Sequence, residues 1–212
     1  MRRKLFAAWL AVVAGCTFQP GAAQQSLIQG DMLLVKKDYR GAIGMYDQAV
    51  KADPYQREAF LHRGIAYRGN GNYDRAIADF TQAIELDPDN SRPYTERART
   101  KLASVAAKAE GNRVRLEEAI STTDPHGILA DLDRAVALDP ALSDGSASLV
   151  RGAVRLMQNR DADAQQDFDR FLRRRPKVKG DLQEVIDKWK KERPVFDQSM
   201  LDDLCKYRPS RG

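Results

Sequence analysis

The chain has 212 residues, 42% of them hydrophobic and 31% charged, with a formal charge of +5. That balance excludes a multi-span membrane protein, a collagen-like chain and a wholly disordered one. Two cysteines exclude a disulfide-dense scaffold, and the length suits a single domain.

In chain order, Arg2, Arg3 and Lys4 come first, followed by an uncharged run from Leu5 to Ala14. Basic, then apolar, then small is the order of a secretory signal. The run is about half the roughly twenty residues that a membrane-crossing helix needs. Two cut sites compete. Val13-Ala14-Gly15-Cys16 resembles the bacterial lipobox, in which the cut precedes a cysteine whose sulfur takes a lipid. Gly21-Ala22-Ala23-Gln24 offers small residues for ordinary cleavage after Ala23. Cys16 lies directly behind the apolar run, whereas the second site leaves Thr17 to Ala23 as a long spacer carrying Phe18 and Pro20. Lipidation at Cys16 is therefore preferred, with Thr17 to Gln25 as a tether. Several acyl chains would hold the protein firmly on a leaflet. Thr17 replaces the Asp that retains such lipoproteins on the inner membrane. The resemblance thus implies an outer-membrane lipoprotein facing the periplasm; a soluble periplasmic or secreted protein is the alternative. Either cut removes the same three cations and lowers the charge from +5 to +2, which weakens any general attraction to polyanions. Either cut also leaves Cys205 as the sole free thiol, read as a small apolar residue beside Leu201 and Leu204.

A period of 34 follows. Tyr39 aligns with Tyr73, Ala42 with Ala76, Tyr46 with Phe80, Ala49 with Ala83 and Pro54 with Pro88, each 34 apart. Gly30, Gly64 and Ala98 continue the same spacing upstream. This pattern resembles the tetratricopeptide repeat. The resemblance implies two antiparallel helices per repeat, with small residues on the first letting the second approach. Asp-Pro pairs end the second helix, because proline disfavours a helical residue before it and lacks an N–H. The third copy runs from a first helix at Arg92 to about Lys108 to a second helix starting near Pro125 and ending at Pro140. Pro88 to Pro140 is 52, or one period plus 18, which places an insertion around 109–124. Within it, Arg113 to Ile120 is read as an extra helical turn or two. In the fourth copy, Gly152, Ala164 and Phe168 match Gly64, Ala76 and Phe80, but Phe171 replaces a small residue. The column of Tyr67 holds Lys101 and Arg155 in the later copies.

Leu182, Val185, Ile186 and Trp189 fall at i, i+3, i+4 and i+7, with Lys188, Lys190 and Lys191 off that stripe. This predicts an amphipathic helix closing the array. Met200 to Tyr207 reads as a last short helix. The expected fold is all-α: a solenoid of about four helix-turn-helix repeats with a C-terminal capping helix. The expected division is 1–15 signal peptide (1–23 on the alternative cut), 16–25 tether, 26–176 solenoid, and 177–212 capping helices and tail.

Nothing in the sequence converges on catalysis, a cofactor or a metal. His62 and His126 are the only histidines, 64 apart and in no metal-ligand spacing. Ser143, Ser146 and Ser148 lack the glycines of a nucleophile elbow. Gly69-Asn70-Gly71-Asn72 is a turn needing positive φ, not a phosphate loop. Asp87-Pro88-Asp89-Asn90 lacks the spacing and glycine of a calcium loop. No enzyme is expected.

By resemblance, the first helices line a concave side that takes an extended peptide or a partner's helix. Residue-by-residue carry-over gives Leu27 and Asp31, then Leu61, His62, Ile65 and Arg68, then Arg92, Thr95, Glu96 and Arg99, with Leu149 and Ala153 in the fourth pair. The Lys and Asn set with which chaperone-binding relatives clamp a terminal carboxylate is absent. Leu27 and Leu61 stand where that pattern wants polar residues. The expected role is a non-catalytic adaptor for another envelope protein or peptide. Arg170 to Arg193 holds ten cations and four acids. That run supports an alternative role in binding anionic lipid or glycan. Nucleic acid is disfavoured by the export signal, and self-association through the end helices is a third idea.

Overall fold

The computed structural model describes residues 21–108, 127–138, 145–174 and 176–192. Among them lie nine α-helices and no strand. They pair as hairpins: α1 (Ala22–Val35) with α2 (Tyr39–Ala52), α3 (Arg57–Gly69) with α4 (Tyr73–Leu86), α5 (Ser91–Lys108) with α6 (Ile128–Leu138), and α7 (Ser146–Met157) with α8 (Asp161–Arg174). A short 3-10 turn, Pro176–Val178, leads into α9 (Lys179–Glu192). The signal, Cys16, the insertion around 109–124, His126, Ser143 and the Met200 to Tyr207 segment with Cys205 lie outside the described residues.

Each second helix packs on the next first helix, α2 on α3, α4 on α5 and α6 on α7, and successive first helices also touch one another. This is the stacked hairpin array that the 34-residue period implies, with local contacts only between neighbours.

The hairpins close because a small residue on the first helix faces a large one on the second. Gly30 lies against the Tyr46 ring. A Cβ on Gly64 would stand 2.8 Å from Phe80 Cε1, and one on Gly152 would stand 2.6 Å from Phe168 Cε1. In the third hairpin the pair is Ala98 and Leu132, both fully buried. Tyr46, Phe80 and Phe168 are fully buried too. Each such burial contributes about 1.5–3 kcal/mol before entropy is counted. Phe171, in the column of Ala83, is accommodated beside Gly145, whose added Cβ would meet the ring at 3.1 Å.

The turns repeat as well. Lys37, Gly71 and Asn159 hold the same place after α1, α3 and α7, with φ of 60°, 78° and 58°. The N–H of the residue after each bonds back to a carbonyl five residues earlier: Asp38 to Leu33 (3.0 Å), Asn72 to Tyr67 (2.8 Å) and Arg160 to Arg155 (2.9 Å). These are left-handed C-caps that satisfy the last helical carbonyls. The glycine turn at Gly69 to Asn72 thus has the structural role assigned to it by sequence. At the other end of α4, the Asn90 side chain accepts from the Arg92 N–H at 3.1 Å, just ahead of α5.

Two boundaries differ from the sequence reading. The first helix starts at Ala22, with the Gln25 N–H bonded to the Gly21 carbonyl at 3.0 Å, so Ala22 to Gln25 are helical and not part of a tether. Ala-Ala-Gln-Gln are good helix formers. The helix α6 starts at Ile128, later than Pro125, after Gly127 turns the chain at φ 63°. Lys101 Nζ pins that turn by donating to the Gly127 carbonyl at 3.2 Å. In the closing helix Leu182 and Ile186 are fully buried, Val185 packs on the same core, and Lys188 and Lys191 are exposed; the side chains of Trp189 and Lys190 lie outside the described ones.

Candidate functional site

The first helices meet side by side, and their polar residues meet with them. Asp31 on α1 lies 2.7 Å from Nδ1 of His62 on α3. The same carboxylate oxygen accepts from the Tyr46 hydroxyl at 2.8 Å. One step along the array, Arg68 on α3 reaches Glu96 on α5 at 2.8 Å, and Arg99 approaches Glu96 at 3.7 Å. Two polar contacts thus join successive first helices, Asp31 with His62 between α1 and α3 and Arg68 with Glu96 between α3 and α5. Glu96 is fully buried and Arg99 nearly so. A carboxylate with that little water requires its cations.

The other carried-over residues divide. Arg92 is exposed and Ile65 half-buried. Thr95 is buried, and its hydroxyl donates to the Ser91 carbonyl at 3.2 Å. Leu27 and Leu61 are only 6% and 5% exposed and belong to the apolar clusters between helices. They are packing residues and do not line a groove: Leu27 is buried with Ala42, Tyr46 and Ala49, and Leu61 with Ala76, Phe80 and Ala83, on the second helix of the same hairpin in each case. Leu149 and Ala153 are likewise buried in the core.

A second polar array was not anticipated. Arg63 donates from Nε and Nη2 to both oxygens of Asp79 at 2.9 and 2.8 Å, and from Nη1 to Asp47 on the preceding hairpin at 2.8 Å. Arg97 does the same with Asp131 (3.0 and 2.6 Å), and with Thr81 at 3.0 Å in the place of Asp47. Arg151 grips Asp167 with two nitrogens, Nε at 2.9 Å, and reaches Asp133 at 2.7 Å. The first helices α3, α5 and α7 thus each place a guanidinium at the same repeat position, Arg63, Arg97 and Arg151. Each clamps its own second helix and touches the second helix before it. The Asp79 hydrogen bond holds the Arg63 guanidinium above its ordinary value against the opposing effect of burial. Burial works to lower that of Arg151, and the hydrogen bond and charge of Asp167 outweigh it. Burial pushes the Asp79 carboxyl up from 3.8, opposed by the hydrogen bond and charge of Arg63.

Among the described residues no group of three or more His, Cys, Asp or Glu side chains is arranged to hold a metal ion. No described helix is long and apolar enough to cross a membrane. The geometry offers buried ion pairs within and between hairpins.

The family model described as tetratricopeptide repeat matches residues 58–90, which span α3 and α4. The DnaJ protein P58IPK homolog of Arabidopsis thaliana is 29% identical over 151 residues, 68% of this chain and 30% of that protein. Human serine/threonine-protein phosphatase 5 is 33% identical over 81 residues, 38% of this chain and 16% of that protein. The chain spans less than a third of the length of these curated relatives. Among solved structures, a thermophilic tetratricopeptide-repeat protein of Thermus thermophilus superposes with a TM-score of 0.64 at 18% identity, over 88% of this chain and 97% of that one. MamA superposes at 0.54 with 20% identity, over 84% of this chain and 89% of that one. Residues 58–90 thus match a tetratricopeptide repeat, and the chain shares the stacked-hairpin fold of the tetratricopeptide-repeat structure it superposes on.

Proposed function

We propose that the chain is a non-catalytic adaptor of the bacterial cell envelope, lipid-anchored at Cys16, that holds a partner's peptide or helix along its first helices. Tetratricopeptide repeats generally mediate protein–protein interaction. The observation that carries the reading is that three successive first helices lie side by side, tied to one another through Asp31 with His62 and Arg68 with Glu96. His62, Glu96 and Arg99 are buried in this joint, so contact with a partner falls to the accessible side chains beside it. The exposed Arg92 and half-buried Ile65 flank it and supply reach and apolar contact. Anchoring raises the local concentration of adaptor and partner, so a modest groove affinity suffices. The enzyme activity in the name of phosphatase 5 is not carried over, because the match covers 16% of that protein.

The test is a photo-crosslinking residue placed at Arg92 or Ile65 in the full chain, expressed in an envelope-bearing host, with Gln48 on α2 as the control. A discrete envelope protein crosslinked from 92 and 65, lost with Arg68→Glu and absent from 48, is the expected result. Equal yields at all three positions contradict it. The mass of the mature N-terminus tests the anchor separately.

A second reading assigns the basic end a surface-binding role. Arg170, Arg173, Lys177, Lys188 and Lys191 are all exposed, which is the observation in its favour. Salt-sensitive binding to anionic vesicles, lost when Arg173 and Lys177 are neutralised, supports it. Salt-insensitive binding, or none, removes it.

A further inference from the structure

The exposed large hydrophobics of the described residues gather at one end of the array. Ile28 is 43% exposed, Met32 54% and Val35 82%, and all three lie on α1; Tyr55 is the fourth. Their spacing of i, i+4 and i+7 makes one stripe along the helix.

The repeat shows what that stripe corresponds to. One period on from Ile28 and Met32 stand His62 and Ala66, and two periods on stand Glu96 and Thr100. All four are buried. They are covered by the preceding hairpin: His62 meets Asp31, and Ala66 packs in one cluster with Leu27, Ala42 and Ala49. The column of Val35 continues as Gly69, against which the Tyr39 ring of the preceding hairpin lies. The α1 stripe is therefore an inter-hairpin face with no hairpin before it among the described residues.

We infer that this face pairs with α1 of a second copy, as two antiparallel helices related by a two-fold axis near Met32. Three observations select that occupant. First, the interior columns are small where they receive a hairpin (Ala66, Thr100, Gly69), whereas α1 carries Met32 and Val35 there. Side chains of that size suit a single helix held at the 8–10 Å of ordinary helix contact. Second, the far end of the array is closed by α9, with Leu182 and Ile186 fully buried. Among the described residues that end offers no exposed apolar stripe to receive α1 head to tail, which favours an isologous, self-limiting pair. Third, the stripe is self-complementary only when antiparallel. Ile28 then faces Val35 of the second copy, and Met32 faces Met32. Lys36 and Lys37 fall opposite Ser26 to Ile28, in a half of α1 that has no charged side chain. A parallel pair would set Lys36 and Lys37 against their own copies and align the helix dipoles unfavourably.

The contact is small. A helix of 14 residues is about 21 Å long, and one helix face falls well short of the ~800 Å² per partner of a stable complex. The pair is thus weak and reversible, and grows with surface density. It does not depend on the anchor or on the groove.

The experiment uses the full chain. Sedimentation equilibrium across a wide concentration range should show a mass rising from monomer toward twice monomer. Val35→Lys, at an exposed position that leaves the fold intact, should weaken the pairing about tenfold, or ~1.4 kcal/mol. In a Cys16→Ser, Cys205→Ser background, Met32→Cys should form a covalent dimer on oxidation about ten times faster than Gln48→Cys, a ratio that ~1.4 kcal/mol of association would give. A monomer at every concentration overturns the inference. So does a dimer indifferent to Val35→Lys, or equal trapping at positions 32 and 48.

Discussion

Arg63 and Asp79, sixteen residues apart, are joined by two parallel hydrogen bonds that tie the first helix of a hairpin to its second. The same sixteen-residue relation joins Arg151 to Asp167. Arg97 and Asp131 are 34 apart, because the insertion lies between them, and they form the same clamp. Asp79 is 6% exposed, so the pair is largely withdrawn from water. Replacing Arg63 by Met leaves that carboxylate buried without its cation, and breaking a buried pair this way costs about 3–5 kcal/mol. Urea unfolding of Arg63→Met should show a loss of that size. Arg57→Met, which breaks the exposed pair with Glu58, should change stability by less than about 1 kcal/mol. Arg63→Met with Asp79→Leu should recover most of the loss, because an apolar pair needs no cation. Equal effects of Arg63→Met and Arg57→Met would show that the clamp contributes nothing.

The same carboxyl sets a pH dependence. Burial raises Asp79 above its ordinary 3.8, while Arg63 opposes the rise. The folded chain therefore takes up this proton before the unfolded chain does as the pH falls. Asp79 then adds stability as the medium is acidified through the interval above 3.8, and that contribution is lost as the pH rises through the folded value. A carbon-detected NMR titration should place the Asp79 midpoint above 3.8, and higher still in Arg63→Met, where the opposing hydrogen bond and charge are gone. A midpoint at or below 3.8 would show that the guanidinium outweighs burial.

The hairpins were legible in the sequence because each rests on one size relation at fixed spacing, small on the first helix and large on the second. The clamps left a signal too: Arg63-Gly64 with Asp79-Phe80, and Arg151-Gly152 with Asp167-Phe168. It went unread because a charged pair separated by a turn looks like two solvated side chains, and the insertion shifts its third instance. Lys101 and Arg155, which break the column of Tyr67, make sense only beside those clamps. Lys101 joins Asp131 at 2.9 Å and Arg155 joins Asp167 at 2.8 Å, so the aromatic position has become a second cation on the same carboxylate. Of the groove residues, Asp31 and His62, and Arg68 and Glu96, meet across helices, while Leu27 and Leu61 are buried in the core. Periodicity placed all of them on the first helices but did not resolve which side of a half-turn each would take.

The turn after α1 holds a testable strain. Lys37 stands at φ 60°, where the equivalent turn after α3 uses Gly71. A side chain in the left-handed region costs about 1–2 kcal/mol, partly returned through its smaller unfolded-state entropy compared with glycine. Lys37→Gly should therefore stabilise the chain by about 0.5–1 kcal/mol, read as a higher urea midpoint at unchanged slope. The reverse change, Gly71→Lys, should destabilise by a similar amount. If both changes lower the midpoint, the left-handed conformation is not what limits either turn.

Gly64 and Phe80 should prove energetically coupled. A Cβ added at Gly64 would stand 2.8 Å from Phe80 Cε1 and 3.0 Å from Cζ, too close without a shift of the ring. The ring is fully buried and held between α3 and α4, so Gly64→Ala overpacks the hairpin at a cost of about 1–3 kcal/mol. Better helix propensity returns at most about 1 kcal/mol. The third hairpin already carries the compensated form, Ala98 facing Leu132, with both side chains fully buried. Phe80→Leu alone leaves space beside Gly64, and the alanine methyl fills part of that space. The double variant should thus be more stable than the sum of the two single effects by about 1–2 kcal/mol, a coupling expected only of residues in contact. Additivity within about 0.5 kcal/mol would mean that the hairpin relaxes around the methyl, and that the small-to-large pairing is not what sets the distance between its helices.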